Sequence, residues 1–175
     1  MGWIGIPAGS AEYVPEFYAR ESEQGSVAGI NADPWFNTYF GLGLSSVVFQ
    51  EIRESKALAY SAYARYSSPM RRTESHYLKA YIGTQPDKLE DAIPALKTLL
   101  DDMPVDPQQM VHARQSIIRR LETEATPARK LYWRARLAWD RGYEHDLRRD
   151  LYRRMETATA GNLHDFHRNH VRHRP

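Results

Sequence analysis

The sequence predicts an α+β fold, a mostly antiparallel β-sheet with helices packed on it. Two observations predict it. Two neighbouring segments, Leu58 to Tyr66 and Ser75 to Gly83, alternate with period two and are rich in tyrosine. The rest of the chain then carries apolar residues at helical spacing. Strands followed by a run of helices, rather than strands and helices in alternation, is the α+β order.

Taken along the chain, residues 1–34 are rich in Gly and Pro, and Glu12 to Glu23 shows little periodicity. Loop and short helix are expected there, with an irregular N-terminal segment at 1–34 preceding a domain at 35–175. Asn37 to Ser46 is a glycine-interrupted turn ending in two N-cap residues, Ser45 and Ser46. Val47, Val48, Phe49, Ile52 and Arg53 follow at helical spacing, which places a helix over about Ser45 to Lys56. The strands Leu58–Tyr66 and Ser75–Gly83 pair as an antiparallel hairpin across the loop at 67–73. In the first strand Leu58, Tyr60, Ala62, Ala64 and Tyr66 share one face.

Pro86 marks a helix start. Leu89, Ile93, Leu96 and Leu100 define an amphipathic helix, broken by Pro104 and Pro107. Met110, Ala113, Ile117 and Leu121 define the next. Thr126-Pro127 reads as an N-cap with proline at the first helical position, opening a helix that uses Leu131, Trp133 and Leu137. Gly142 ends it. A short helix at Asp146–Met155 and a last one from Thr159 to about Val171, with Leu163 and Phe166 inward, complete the chain.

Composition narrows the function classes. The 175 residues suit one domain, and 42% hydrophobic residues suffice for a core. Twenty-four basic residues face 22 acidic ones, for a net charge of +2. That balance argues against nucleic acid. Arginines accumulate in the last third (Arg148, Arg149, Arg153, Arg154, Arg168, Arg172, Arg174), where a solvated helix surface is the expected reading over a phosphate-binding face. There is no cysteine, which removes disulfides, thiolate nucleophiles and thiolate metal sites. The first ten residues lack a basic region and a long apolar run, so no signal peptide is expected. No stretch reaches the ~18 apolar residues that span a bilayer. A soluble protein, cytoplasmic or periplasmic, is expected.

Metal peptidase chemistry needs two His on one helix face and a nearby Glu to deprotonate bound water. Neither His-x-x-Glu-His nor His-Glu-x-x-His occurs. Glu144-His145 comes closest, but position 141 is Arg. No catalytic zinc centre and no metal ligands are expected on this chain. His164, His167, His170 and His173 recur every third residue; an adventitious site or none is the expected outcome. Arg53 and Tyr60 flank a helix-to-strand turn, and a guanidinium and a phenol placed there can converge on a carbonyl or oxyanion. On spacing alone, a surface ion pair for Arg53 and sheet packing for Tyr60 are the favoured explanation of the two.

The run from Tyr39 to Tyr63 (a glycine turn, Ser-Ser, an apolar helix, Arg-Glu, then Leu-Ala-Tyr-Ser) resembles the second half-domain of pitrilysin/insulinase-type zinc metallopeptidases. Tyr81 to Ala92, Met103-Pro104, Gly142 to Asp150 and the final Leu163 helix extend the resemblance loosely over about residues 35–172. It implies one half of a pitrilysin/mitochondrial-processing-peptidase-like metallohydrolase. In such enzymes a zinc-bearing half carries the inverted motif, and the other half supplies an Arg and a Tyr for peptide binding. Those two fall on Arg53 and Tyr60. The resemblance thus implies zinc on a partner half only, on the same polypeptide or a separate subunit, and a peptide substrate. It also leaves room for a homo-oligomer and for an inactive peptide-binding or assembly subunit of the same fold. Residues 1–34 depart from the family's opening strand and long helix.

Overall fold

In a computed structural model of the chain, the described residues are 34–68 and 76–172, with the backbone of 3–5, 14–20 and 33. Four strands form one antiparallel sheet in the order β1-β2-β4-β3. They are β1 (Trp3–Gly5), β2 (Val14–Arg20), β3 (Ser61–Ser67) and β4 (Tyr77–Gly83). The predicted hairpin is present, with Ser61 opposite Gly83 and Ser67 opposite Tyr77. Loop and short helix were expected over 1–34. Residues 3–5 and 14–20 instead extend the sheet, and β2 covers the second edge of β4. Three- and seven-residue strands that include Gly or Pro leave little periodicity to read. The loop expected at 67–73 lies mostly outside the described residues.

Alternation places Ala62, Ala64 and Tyr66 of β3 and Leu78, Ala80 and Ile82 of β4 on the core side, all buried. Tyr60, expected on that face, is 55% exposed because β3 begins one residue after it. The helices pack on this inner side. Helix α1 opens as Asp33–Phe36 and continues in wider π winding over Asn37–Gly41. Helix α2 does the same, Val47–Phe49 then Gln50–Ser55. A 3-10 turn, Pro86–Lys88, leads into α3 (Leu89–Asp101), followed by α4 (Pro107–Thr123), α5 (Ala128–Asp140), α6 (Leu147–Thr157) and α7 (Ala160–His170). Phe36, Phe40, Ile52, Leu96, Met110, Ile117 and Leu163 fill the centre.

Helix α1 seals the outer edge of β3. The Asn37 amide donates to Tyr66 O (2.8 Å) and accepts from Tyr66 N (2.7 Å), as a neighbouring strand would. A Cβ on Gly41 would stand 1.7 Å from Ala64 O, so only glycine permits this approach. Tyr39 crosses to the α3–α4 link: its hydroxyl donates to Pro104 O (2.7 Å) and accepts from Asp106 N (3.1 Å). Burial holds that phenol above its ordinary pKa.

Helices α4 and α6 clasp each other. Arg114 of α4 donates to Met155 O and Ala158 O, both at 3.1 Å, at the end of α6. Arg148 of α6 donates to Leu121 O (2.8 Å) and Glu124 O (3.3 Å) at the end of α4. Carbonyls that a helix leaves unpaired at its C-terminus are thus satisfied by a cation, where the helix dipole favours one. Arg148 therefore departs from the solvated surface expected of the arginine-rich last third. Two readings of α5 are also corrected. Pro127, not Thr126, is its N-cap residue, and the Thr126 hydroxyl accepts from Arg134 and Arg148 instead. Leu131 and Trp133 are 55% and 68% exposed rather than inward, and only Ala138 is buried.

Candidate functional site

The Tyr39–Tyr63 stretch builds a groove at one end of the sheet. Gly43 turns the chain with φ +97°, a conformation glycine adopts freely. Ser46 then caps α2: its hydroxyl donates to Gly43 O (2.8 Å) and accepts from Phe49 N (3.4 Å). That is the expected capping role for this serine. The π winding of the last turn ends with Leu58 N donating to Ile52 O (2.9 Å), and Ala57 takes a left-handed turn at φ +49°. Tyr60 N donates to Gly83 O (2.9 Å), and β3 begins.

Arg53, from the last turn of α2, and Tyr60, from the entry to β3, line one open groove of about 420 Å³. Glu54, Leu58, Thr84 and Lys88 complete its wall. The guanidinium lies 4.8 Å from the Phe49 ring centroid, which holds it in a cation–π contact. Arg53 Nε stands 3.8 Å from Glu54 Oε1, a loose and exposed pair of little energetic weight. The Tyr60 hydroxyl accepts from the Gln85 amide, which leaves its own proton free to donate. Lys88 donates to Ala57 O (2.9 Å) and fixes the turn. Gln85 and Lys88 were not singled out from sequence. The hairpin register, Ser61 opposite Gly83, is the signal that brings residues 84–88 beside residues 57–60.

Among the described residues, His164, His167 and His170 do not converge on one site. His167 is buried and its Nε2 pairs with Leu100 O at 2.7 Å; burial lowers its pKa. His170 packs on Phe166 and Tyr66, His164 is exposed, and His173 lies outside the described residues. His145 pairs with Asp150 at 2.7 Å. Among the described residues no three His, Asp or Glu side chains converge to hold a metal ion. Among the same residues no helix is long and apolar enough to cross a membrane.

Residues 34–115 match the family model of the peptidase M16 inactive domain. The M16 match runs from α1 into α4 and contains the whole groove, and it bears out the pitrilysin/insulinase resemblance. A stretch of 83 residues is 34% identical to an uncharacterized zinc protease of Streptomyces coelicolor. That stretch is 47% of this chain and 16% of the relative, so the chain spans a small part of that protein's length. Solved structures show the same fold. An inactive peptidase domain from Bordetella parapertussis superposes with a TM-score of 0.71 at 14% identity, covering 92% of this chain and 84% of that one. A protease from Helicobacter pylori gives 0.72 at 14% identity, over 93% of this chain and 39% of that one. Pitrilysin gives 0.58 at 14% identity, over 92% and 17%. The α+β fold expected from sequence is the fold these structures share with this chain.

Proposed function

We propose that this chain acts as the non-catalytic half of a zinc metalloendopeptidase, residues 35–175 forming the half-domain together with the β1 and β2 strands that complete its sheet, with zinc held by a separate half on the same or another polypeptide. In this reading Arg53 and Tyr60 donate hydrogen bonds to a carbonyl of the bound peptide and meet negative charge as it develops on that oxygen. The carrying observation is that both side chains, Arg53 at 45% and Tyr60 at 55% exposure, line one open groove inside the segment that matches the inactive-domain model. Placed donors of this kind favour the charged intermediate over the neutral amide, and they act without changing protonation state.

The test is peptide hydrolysis by this chain mixed with a zinc-bearing half-domain, against each component alone. Turnover is expected in the mixture only. Arg53→Ala and Tyr60→Phe should each lower kcat/KM by about a hundredfold. Variants that turn over peptide like the parent would remove the role assigned to the pair. The other reading, an inactive peptide-binding or assembly subunit, draws on the exposed aromatic residues of α5, of which Trp133 and Trp139 are 68% and 78% exposed. It predicts peptide or partner binding with no turnover in any mixture.

A further inference from the structure

The segment that leaves β4 holds the entry of β3. Its sequence, Gly83-Thr84-Gln85-Pro86, leaves the backbone little choice. Proline fixes its own φ and disfavours helical backbone in the residue before it. Gln85 is accordingly extended (φ −72°, ψ 150°) and stands as the N-cap residue of the 3-10 turn. Its carbonyl accepts from Lys88 N at 3.1 Å and closes that turn. Thr84 is fully buried, and its hydroxyl donates to Leu58 O. Gly83 O accepts from Tyr60 N (2.9 Å), and Lys88 Nζ donates to Ala57 O (2.9 Å). Residues 83–88 thus hold residues 57–60 through the Ala57 and Leu58 carbonyls and the Tyr60 N–H.

The backbone of Tyr60 is fixed in this way, but its ring is not packed away. The residue is 55% exposed, and among the described residues its ring meets no other aromatic ring. Its hydroxyl has one hydrogen-bond partner among those residues, the Gln85 amide, which donates to it. A phenol keeps its proton near the ring plane, on one side of the oxygen or the other. Where an incoming N–H fills one side, the proton takes the other. The amide therefore sets two torsions together, that of the ring and that of the hydroxyl. Polarisation through the accepted bond also strengthens the donation that remains. Arg53 needs no such help from a second segment, because the Phe49 ring holds it within its own helix.

We infer that Gln85 is a positioning residue of the half-site, holding the Tyr60 hydroxyl so that its proton is turned toward the carbonyl of the bound peptide. The inference rests on the half-site reading, in which Tyr60 donates to that carbonyl. A donor that must find its direction at each encounter gives up part of its advantage over water, whose dipoles also have to reorient. The residue type matters. A side-chain amide offers N–H to the phenol oxygen and leaves the phenol proton available. A carboxylate of the same shape accepts only, so it would take that proton for itself. An aliphatic side chain would leave the hydroxyl free to turn.

The experiment is hydrolysis of a quenched fluorogenic peptide by the full chain mixed with a zinc-bearing half-domain, with kcat and KM read separately. Gln85→Leu keeps the bulk and loses the donor; kcat should fall about tenfold with KM within about twofold. Gln85→Glu keeps the shape and reverses the hydrogen bond; it should fall to the level of Tyr60→Phe, about a hundredfold. In a Tyr60→Phe background Gln85→Leu should add no further loss, since both act through one hydroxyl. A second measurement needs no turnover. In proton–nitrogen correlation spectra of the full chain alone, the Gln85 side-chain amide signals, assigned by their loss in Gln85→Leu, should move in Tyr60→Phe. Turnover at or above the parent in Gln85→Leu, a loss carried by KM, a milder effect of Gln85→Glu than of Gln85→Leu, a further loss in the double variant, or unmoved amide signals would each overturn the inference. The two readings fail separately. A damaged Tyr60→Phe beside parental Gln85→Leu and Gln85→Glu removes only the role of Gln85. Parental turnover in Arg53→Ala and Tyr60→Phe, or no turnover in the mixture, removes the half-site and the role of Gln85 with it.

Discussion

The sheet region with α1 to α4 and the helix α5 both show helical or alternating apolar periodicity, yet they use it differently. In the first, Ala62, Ala64 and Tyr66 of β3 and Leu78, Ala80 and Ile82 of β4 are buried, and Phe36, Ile52, Leu96 and Met110 are sealed from solvent. In α5 the same kind of pattern leaves Leu131 and Trp133 mostly in water. Periodicity tells which residues share a face; whether that face meets a partner depends on tertiary placement. The family-model match has the same limit, since it ends at residue 115 within α4.

Four substitutions probe this contrast. Gly41→Ala carries the largest effect. Its methyl would overlap a backbone carbonyl that has no room to move, so unfolding free energy should fall by more than about 3 kcal/mol in urea denaturation. A near-neutral result would mean α1 can lift away from β3. Next is Asp106→Ala. Asp106 accepts from Gln108 N (2.9 Å) and Gln109 N (3.1 Å) at the start of α4, while α5 opens on Pro127 with no side-chain cap. Losing that cap should cost about 1 kcal/mol by the same assay.

His167 gives a smaller, pH-dependent effect. Burial lowers its folded pKa below the ordinary 6.5, with His164 and Arg172 pushing the same way and the Leu100 carbonyl and Asp102 opposing. The neutral imidazole is the folded form. The stability it supports is fully present above 6.5 and is lost as pH falls below that value toward the lowered one, because the unfolded chain takes up the proton first. Urea midpoints should therefore drop between about pH 8 and about pH 5, and His167→Gln should flatten the slope. An identical slope in the variant would assign the drop to other groups. Least of all, Trp133→Ser should change stability by no more than about 0.5 kcal/mol, since the indole is 68% exposed. A loss near that of Gly41→Ala would place α5 in the core after all.

What was legible in the sequence follows from how local each signal is. The β3–β4 hairpin and helices α2 to α7 come from periodicity, caps and prolines within a few residues. The pairing of Arg53 with Tyr60 came from the Tyr39–Tyr63 resemblance, since spacing alone left a bland reading open for each. Non-local features were hidden. Nothing near Thr126 announces that its hydroxyl serves two arginines, and nothing near Arg148 announces a carbonyl 27 residues away. The π winding of α2 was also hidden, because Val47, Val48 and Ile52 fit either helix.

The reciprocal Arg114 and Arg148 contacts make α5 a detour. Chain that leaves α4 at Thr123 and returns at Leu147 is bridged at both ends without it. A protease cut within 128–140 should therefore yield two pieces that travel together through gel filtration and come apart only in denaturant. In that sense α5 is the place where this chain tolerates breakage, insertion or a fused tag while the groove-bearing body stays whole.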